Sequence, residues 1–302
     1  MKKAALLILF CIVSLMTNAQ SNIRVNNYWE NTYYINPASI DEMYMSVLTT
    51  TARKQWFRFP GAPSTFFATG TLFIDRMNTQ FGLKAVVDKI GYTSTSNLAL
   101  SYAYALTVHR NWRLYLGVAL SFQSLSYDVS QANMNVVYDP AVYEHLTRLN
   151  NYNADVGVEL VINSLKIGAS GQNIFSVFTS ENGQQQNVNF IYAKYRSTSR
   201  EFFNLGYGVC GIQNGRLYQL EFNATSYFKL SSEADLFQAG VFYRTRSELG
   251  TLLGVNLSPA IQLFYSYDFN VSGISRSSVG THELMLIFKL NKNSECIPCR
   301  DR

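Results

Sequence analysis

The chain has 302 residues, with 25 Lys and Arg against 20 Asp and Glu for a formal net charge of +5, and only 15% of it is charged. The basic residues are scattered and form no stripe, which excludes a nucleic-acid partner. Mean hydropathy is −0.03 and Tyr and Phe number 20 each, a balance that suits either a soluble β-domain or a barrel in an outer membrane.

The chain opens MKKAALLILFCIVSLMTNA. Lys2 and Lys3 form a charged start, Ala4 to Met16 an apolar run, and Thr17-Asn18-Ala19 a small-residue cleavage site. Residues 1–19 therefore read as a secretory signal, too short and wrongly flanked for a spanning helix. Phe10 is too bulky beside Cys11 for a lipoprotein cleavage site, so the mature chain is expected to start at Gln20. Without Lys2 and Lys3 it has 23 basic and 20 acidic residues, a net +3. No later apolar run approaches the ~18 residues of a spanning helix. Residues 20–42 read as a periplasmic lead-in.

Alternation of period 2 begins at 43 and breaks at Arg53-Lys54. The stretch QWFRFPGAP, residues 55–63, turns the chain into a second alternating run from 64. Arg53 and Arg58 would not be stable against lipid, where an Arg at the midplane costs ~2–4 kcal/mol. Arg53, Gln55, Trp56, Phe57 and Arg58 are the candidate partner-contact residues, since Arg and Trp dominate interface energetics. The other reading keeps the arginines in an Arg–acid pair closing the barrel mouth, and the sequence leaves both open.

Alternation is longest at 97–108 and 113–127. Leu98, Leu100, Tyr102, Tyr104, Leu106 and Val108 share one face, with Ala99, Ser101, Ala103, Ala105 and Thr107 on the other. Leu114, Leu116, Val118, Leu120 and Phe122 likewise oppose Tyr115, Gly117, Ala119, Ser121 and Gln123. A soluble sheet would carry Lys, Glu and Asp on its second face. Small and weakly polar residues suit a crowded lumen, and a spanning barrel strand needs ~9–11 residues with such alternation. The strands are expected at 43–53, 64–74, 80–88, 95–108, 113–128, 153–163, 164–172, 187–195, 202–213, 216–229, 233–244, 248–257, 260–268 and 281–290. Fourteen antiparallel strands would close a single outer-membrane β-barrel over 20–290 and leave both termini in the periplasm. With the first strand running outward, the connections 75–79, 109–112, 163–164, 196–201, 230–232 and 258–259 are short periplasmic turns. The longest connections, 129–152, 173–186 and 269–280, all fall on the outer side. Tyr102, Tyr104, Tyr265 and Tyr267 lie on outward faces and read as part of an interfacial aromatic girdle.

Gly206-x-Gly208-x-x-Gly211 matches the dinucleotide fingerprint, but alternation runs straight through it and no helix follows, so the glycines read as small lumen-facing residues. His109, His145 and His282 fall in a turn, in the longest outer connection and at the start of the last strand. None joins a nucleophile–base pair, and the chain reads as non-enzymatic, without cofactor or metal. Cys210 reads as a small buried thiol. In the tail, 291–302, Cys296 and Cys299 could supply half a zinc site, a redox dithiol or a disulfide. A disulfide or tail contact fits an oxidising periplasm best, because zinc lacks further ligands nearby.

Several landmarks then fall into one order: Asn36-Pro37-Ala38, Arg53-x-Gln55-Trp56, Gly61-x-Pro63-x-Thr65, Leu72-x-x-Asp75-Arg76, Ser101-Tyr102-Ala103-Tyr104, Gly168-x-Ser170-x-x-Asn173, Tyr265-x-Tyr267-Asp268 and Thr281-His282-Glu283-Leu284. Across the mature chain this order resembles the PorP/SprF family of outer-membrane proteins of the Bacteroidetes type IX secretion and gliding machinery. The resemblance implies a non-enzymatic component in the outer membrane, embedded in its lipid. It would work with periplasmic ring and lipoprotein components, or help export or anchor a surface protein such as a gliding adhesin. The alternative is an outer-membrane channel for a small or hydrophobic solute.

Overall fold

The computed structural model describes residues 25–58, 61–127, 148–178, 186–197, 202–229, 235–245, 248–270 and 280–291. Fourteen strands follow one another: β1 (Tyr44–Lys54), β2 (Ser64–Ile74), β3 (Thr79–Ile90), β4 (Thr93–His109), β5 (Trp112–Tyr127), β6 (Arg148–Ile162), β7 (Leu165–Gln172), β8 (Val188–Arg196), β9 (Phe203–Asn214), β10 (Leu217–Lys229), β11 (Asp235–Arg244), β12 (Glu248–Ser258), β13 (Ile261–Asn270) and β14 (Thr281–Asn291). Each pairs antiparallel with its neighbours in sequence, and β1 pairs with β14, from Ser46 opposite Leu290 to Lys54 opposite His282, to close the barrel. Closure removes the sheet edge that lipid could not satisfy.

The alternation sorts residues as the sequence requires. Leu100, Val118 and Leu120 face outward and are exposed, while Ala99, Ala103, Tyr115, Ala119 and Ser121 are buried inside. Turns at one end of the barrel are tight: Asn78 (φ 50°) and Asn163 (φ 52°) take the left-handed conformation that short reversals need. The connections at the other end include 128–147, 173–187 and 271–280. These two ends are called below the short-turn end and the long-connection end.

The lumen is filled by the chain itself. Residues 25–41 make two short 3-10 turns, Asn27–Trp29 and Thr32–Tyr34, and Val25, Trp29, Tyr34, Ile35, Ala38 and Ile40 are buried. Within 20–42, read from the sequence as a periplasmic lead-in, the described residues 25–41 instead lie in the lumen. The segment's first described residue, Val25, lies at the opposite end of the barrel from the end of β14. The Val25 carbonyl accepts a hydrogen bond from Arg244, the last residue of β11 and so at the long-connection end, whereas the Asp41 N–H donates to Gln80 Oε1 at the short-turn end. The segment thus runs the depth of the barrel before β1 begins. Asn291 ends β14 at the short-turn end, opposite the level of Val25. The physical reason is that so wide a barrel has room inside, and the buried acids lining it need donors.

Candidate functional site

The lumen and its inner segment form the best-defined site. Its upper node is Glu283 on β14. The backbone N–H groups of Asn26 and Asn27 each donate to this carboxylate at 2.9 Å, and the Asn27 amide adds a third bond at 2.8 Å. Arg53 of β1 donates to Glu283 at 3.2 Å and to Asp268 of β13 at 3.1 Å. All three charged side chains are buried. Buried charges persist only when paired and hydrogen-bonded, and here the inner segment supplies part of the pairing.

Lower down, Trp29 donates its indole N–H to Glu221 at 2.6 Å, and Glu221 is ion-paired with Arg244. Lys194 donates to the Trp29 carbonyl. Glu30 receives the Tyr227 hydroxyl at 3.2 Å and faces Lys194 at 4.0 Å. Burial alone would raise the Glu30 carboxyl, but the charges of Lys194 and Arg196 more than offset it and hold it below the usual range. Asn31 bonds Thr69 at 2.8 Å, the Tyr33 hydroxyl meets Ser101 at 2.7 Å, and Ser170 donates to the Ile35 carbonyl at 2.7 Å. Asn36 donates to the Val158 carbonyl and the Tyr192 hydroxyl, both at 3.0 Å. At the foot, Gln80 donates to the Ser39 carbonyl at 3.0 Å, and Glu42 lies 3.7 Å from Arg113.

Shape agrees with polarity. A Cβ at Gly157 would stand 1.9 Å from Asn36 Oδ1, and one at Gly117 would stand 2.4 Å from the Ala38 nitrogen. The Asn-Pro-Ala corner therefore sits against wall positions where only glycine leaves room.

The first hairpin divides its candidate residues. Arg53 is held inside by Asp268 and Glu283, which is the Arg–acid pair of the sequence reading. Gln55 and Trp56 are half-buried, with the Gln55 N–H bonded to the Pro63 carbonyl and the Trp56 backbone at φ 49°. Phe57 and Arg58 are exposed; Phe57 packs edge-on against His282 and its N–H bonds the Gly280 carbonyl. His282 also meets the Tyr265 hydroxyl at 2.7 Å. Cys296, Cys299 and His145 lie outside the described residues. Cys210 is fully buried. Gly206 and Gly208 lie beneath Tyr227 and Trp29, but Gly211 faces outward beside Leu220, contrary to the expectation for all three.

Sequence reasoning missed Glu283, Asp268, Glu221, the buried Glu159 that accepts the Tyr192 hydroxyl, and the whole inner segment as site residues. The usable signal was acids at inward positions in mid-strand, which require a donor from the lumen.

The sequence pattern of the type IX secretion system membrane protein PorP/SprF family matches residues 17–288. No curated protein matches the chain in sequence. Among solved structures, the outer-membrane protein Omp33 of Acinetobacter baumannii is similar with TM-score 0.50 at 8% identity, over 82% of this chain and 98% of that one. The toluene transporter TbuX of Ralstonia pickettii gives 0.51 at 9%, over 85% and 92%. The CymD monoaromatic hydrocarbon channel gives 0.52 at 10%, over 89% and 94%. At these identities the likeness is one of fold, that of an outer-membrane barrel.

Proposed function

The chain belongs to the PorP/SprF family of type IX secretion system membrane proteins, and from that premise we propose that it serves the apparatus as a closed, non-enzymatic barrel rather than as a pore. In this reading it couples to periplasmic ring and lipoprotein components or anchors one secreted surface protein. The long connections face outward, and the tail that follows β14, with Cys296 and Cys299, faces the periplasm.

The observation that carries this reading is the inner segment, hydrogen-bonded to the wall from Glu283 at one end to Gln80 at the other. A solute channel needs a vacant path, and that path is taken here by covalently attached chain. The alternative, a channel for a hydrophobic solute, draws on the fold shared with TbuX and CymD. The lining speaks against it, since Ser121, Gln123, Asn151 and Asn153 are buried and polar, and apolar cargo would leave them without water.

The test is purification from the native outer membrane in mild detergent, with co-eluting proteins identified by mass spectrometry and the barrel then reconstituted in planar bilayers. Co-elution of periplasmic components or of a large surface protein, with no steady conductance, is the expected result. A barrel that elutes alone and conducts would overturn the reading in favour of the channel.

A further inference from the structure

Where β1, β2 and β3 reach the long-connection end, cations and acids are sorted to opposite sides of the wall. From Met43 to Ile74 the sequence holds Arg53, Lys54 and Arg58 and no acid. Arg53 turns inward to Asp268 and Glu283. On β3, Asp88 also turns inward, where it is buried and accepts the Thr65 hydroxyl at 2.5 Å. Alternation then puts Lys54, Ser64 and Lys89 on the outer wall.

The register sets these three side by side. Lys54 stands opposite Ser64 and Ser64 opposite Lys89, so the lysines flank the serine at about 4.8 Å per strand. Both lysines are exposed. Lys54 donates to the Ala62 carbonyl at 3.0 Å, which leaves two of its donors. Among the described residues no acid pairs with Lys89, and Arg58 adds a third exposed cation on the connection between β1 and β2. That connection is tied to the one between β3 and β4, because the Gly91 N–H donates to the Gly61 carbonyl at 3.1 Å. Both glycines are in the left-handed region, at φ 56° and 70°. The tie holds in place the hairpin to which the Lys54 ammonium is bonded.

The next outward row, about 7 Å nearer the short-turn end, is Leu284, Ala52, Phe66 and Val87. All four are exposed on the outer wall, and apolar side chains so placed face lipid. The lysines therefore stand one step above the apolar band, at the level of the headgroups. Across the ring, on β8 and β9, the last outward side chains are the neutral Asn189 and Gln213, with Arg216 in the tight turn that follows β9.

We infer that Lys54, Ser64 and Lys89 bind the phosphate of a phosphorylated glycolipid in the outer leaflet. Two ammonium groups and a hydroxyl, spread across one strand, offer the positive charge and the donors that phosphate oxygens accept. Like charges on neighbouring strands repel when no acid lies between them, and an anion from the membrane relieves that repulsion. Basic residues at a membrane boundary draw anionic headgroups. The headgroup as occupant follows from the apolar row directly beneath the lysines. The choice of leaflet rests on the reading that the long connections face outward.

The test titrates the purified barrel, in neutral detergent, with diphosphorylated lipid A, with the same lipid stripped of phosphate, and with phosphatidylglycerol. Native mass spectrometry reads the bound fraction, and heat-modifiable migration on a gel checks that each variant is folded. A cation near an anionic surface is worth about fivefold in affinity, so the double variant Lys54→Gln, Lys89→Gln should weaken lipid A binding about twentyfold. Arg216→Gln should leave it unchanged, and the dephosphorylated lipid should bind the unmodified barrel no better than the double variant. Full retention by the double variant, an equal loss in Arg216→Gln, or equal binding of the dephosphorylated lipid would overturn the phosphate site. A preference for phosphatidylglycerol over lipid A, abolished in the double variant, would place the row in the inner leaflet. That result overturns the glycolipid, and with it the outward reading of the long connections.

Discussion

The two faces of β5 are built from the same strand and obey different rules. Outward, Leu116, Val118 and Leu120 meet a fluid that accepts any apolar shape. Inward, Tyr115 packs in one cluster with Ala38 and Ile40, and Gly117 leaves room for the backbone of Pro37 and Ala38. The outer face is specified by hydrophobicity alone, the inner face by volume and by hydrogen bonding. A change outside should therefore act on the barrel as a whole, and a change inside on whether the lumen stays filled.

The sharpest way to break this separation is Arg53→Met. It leaves Glu283 and Asp268 side by side without their cation, and breaking a buried pair of this kind costs ~3–5 kcal/mol. Denaturant titration should show that loss and bilayer recording a new conductance, while Arg53→Lys should restore part of both. Next is Val118→Arg, on the outer face of the same wall. It should cost ~2–4 kcal/mol in folding from detergent or lipid and leave the lumen closed. If Val118→Arg opens a pore, the two faces are not independent. Third, Gly157→Ala puts a methyl group against an Asn36 side chain fixed at both ends of its amide. Overpacking costs ~1–3 kcal/mol, and here it should appear as an unseated segment, read as conductance and as protease cleavage between residues 25 and 41. Its outer counterpart, Val118→Leu, should change stability by no more than ~0.5 kcal/mol.

The smallest effect is that of pH on Glu30. Its carboxyl is held below the ordinary range, so the stabilisation it contributes is complete above the unfolded value of about 4.3. It is lost only as pH falls through the lower folded value. Protease protection of the segment should be flat from neutral pH to about 5, and Glu30→Gln should remove only the part of the loss that appears below about 4.3.

All fourteen strands were legible, because alternation is imposed by lipid on one side and a crowded lumen on the other. The largest displacement is at β6, expected from 153 and beginning at Arg148. Its first residues, Arg-Leu-Asn-Asn, lie beyond the outward apolar row of Leu98, Phe122 and Tyr152, where neither face is required to be apolar. The inner segment was illegible for a related reason. NNYWENTYYINPAS has neither period 2 nor period 3.6, since it is stabilised by individual hydrogen bonds to the wall and not by a buried face. Its trace in the sequence lies in the wall instead, in glycines at 117 and 157 and in acids at 159, 221 and 283. Arg53 shows the same limit: the sequence restricted it to a mouth pair or a partner contact, and only the register that sets β1 beside β14 supplies its acids.

The path of residues 25–41 also dictates an order of events in assembly. Asn26 and Glu283 are 257 positions apart in sequence yet bonded, and the seam between β1 and β14 joins the two ends of the sheet around them. A segment passed through a finished ring would have to thread it, a route that chains avoid. The open sheet must therefore curl around its own beginning, which serves as the mandrel on which the last strand finds the first.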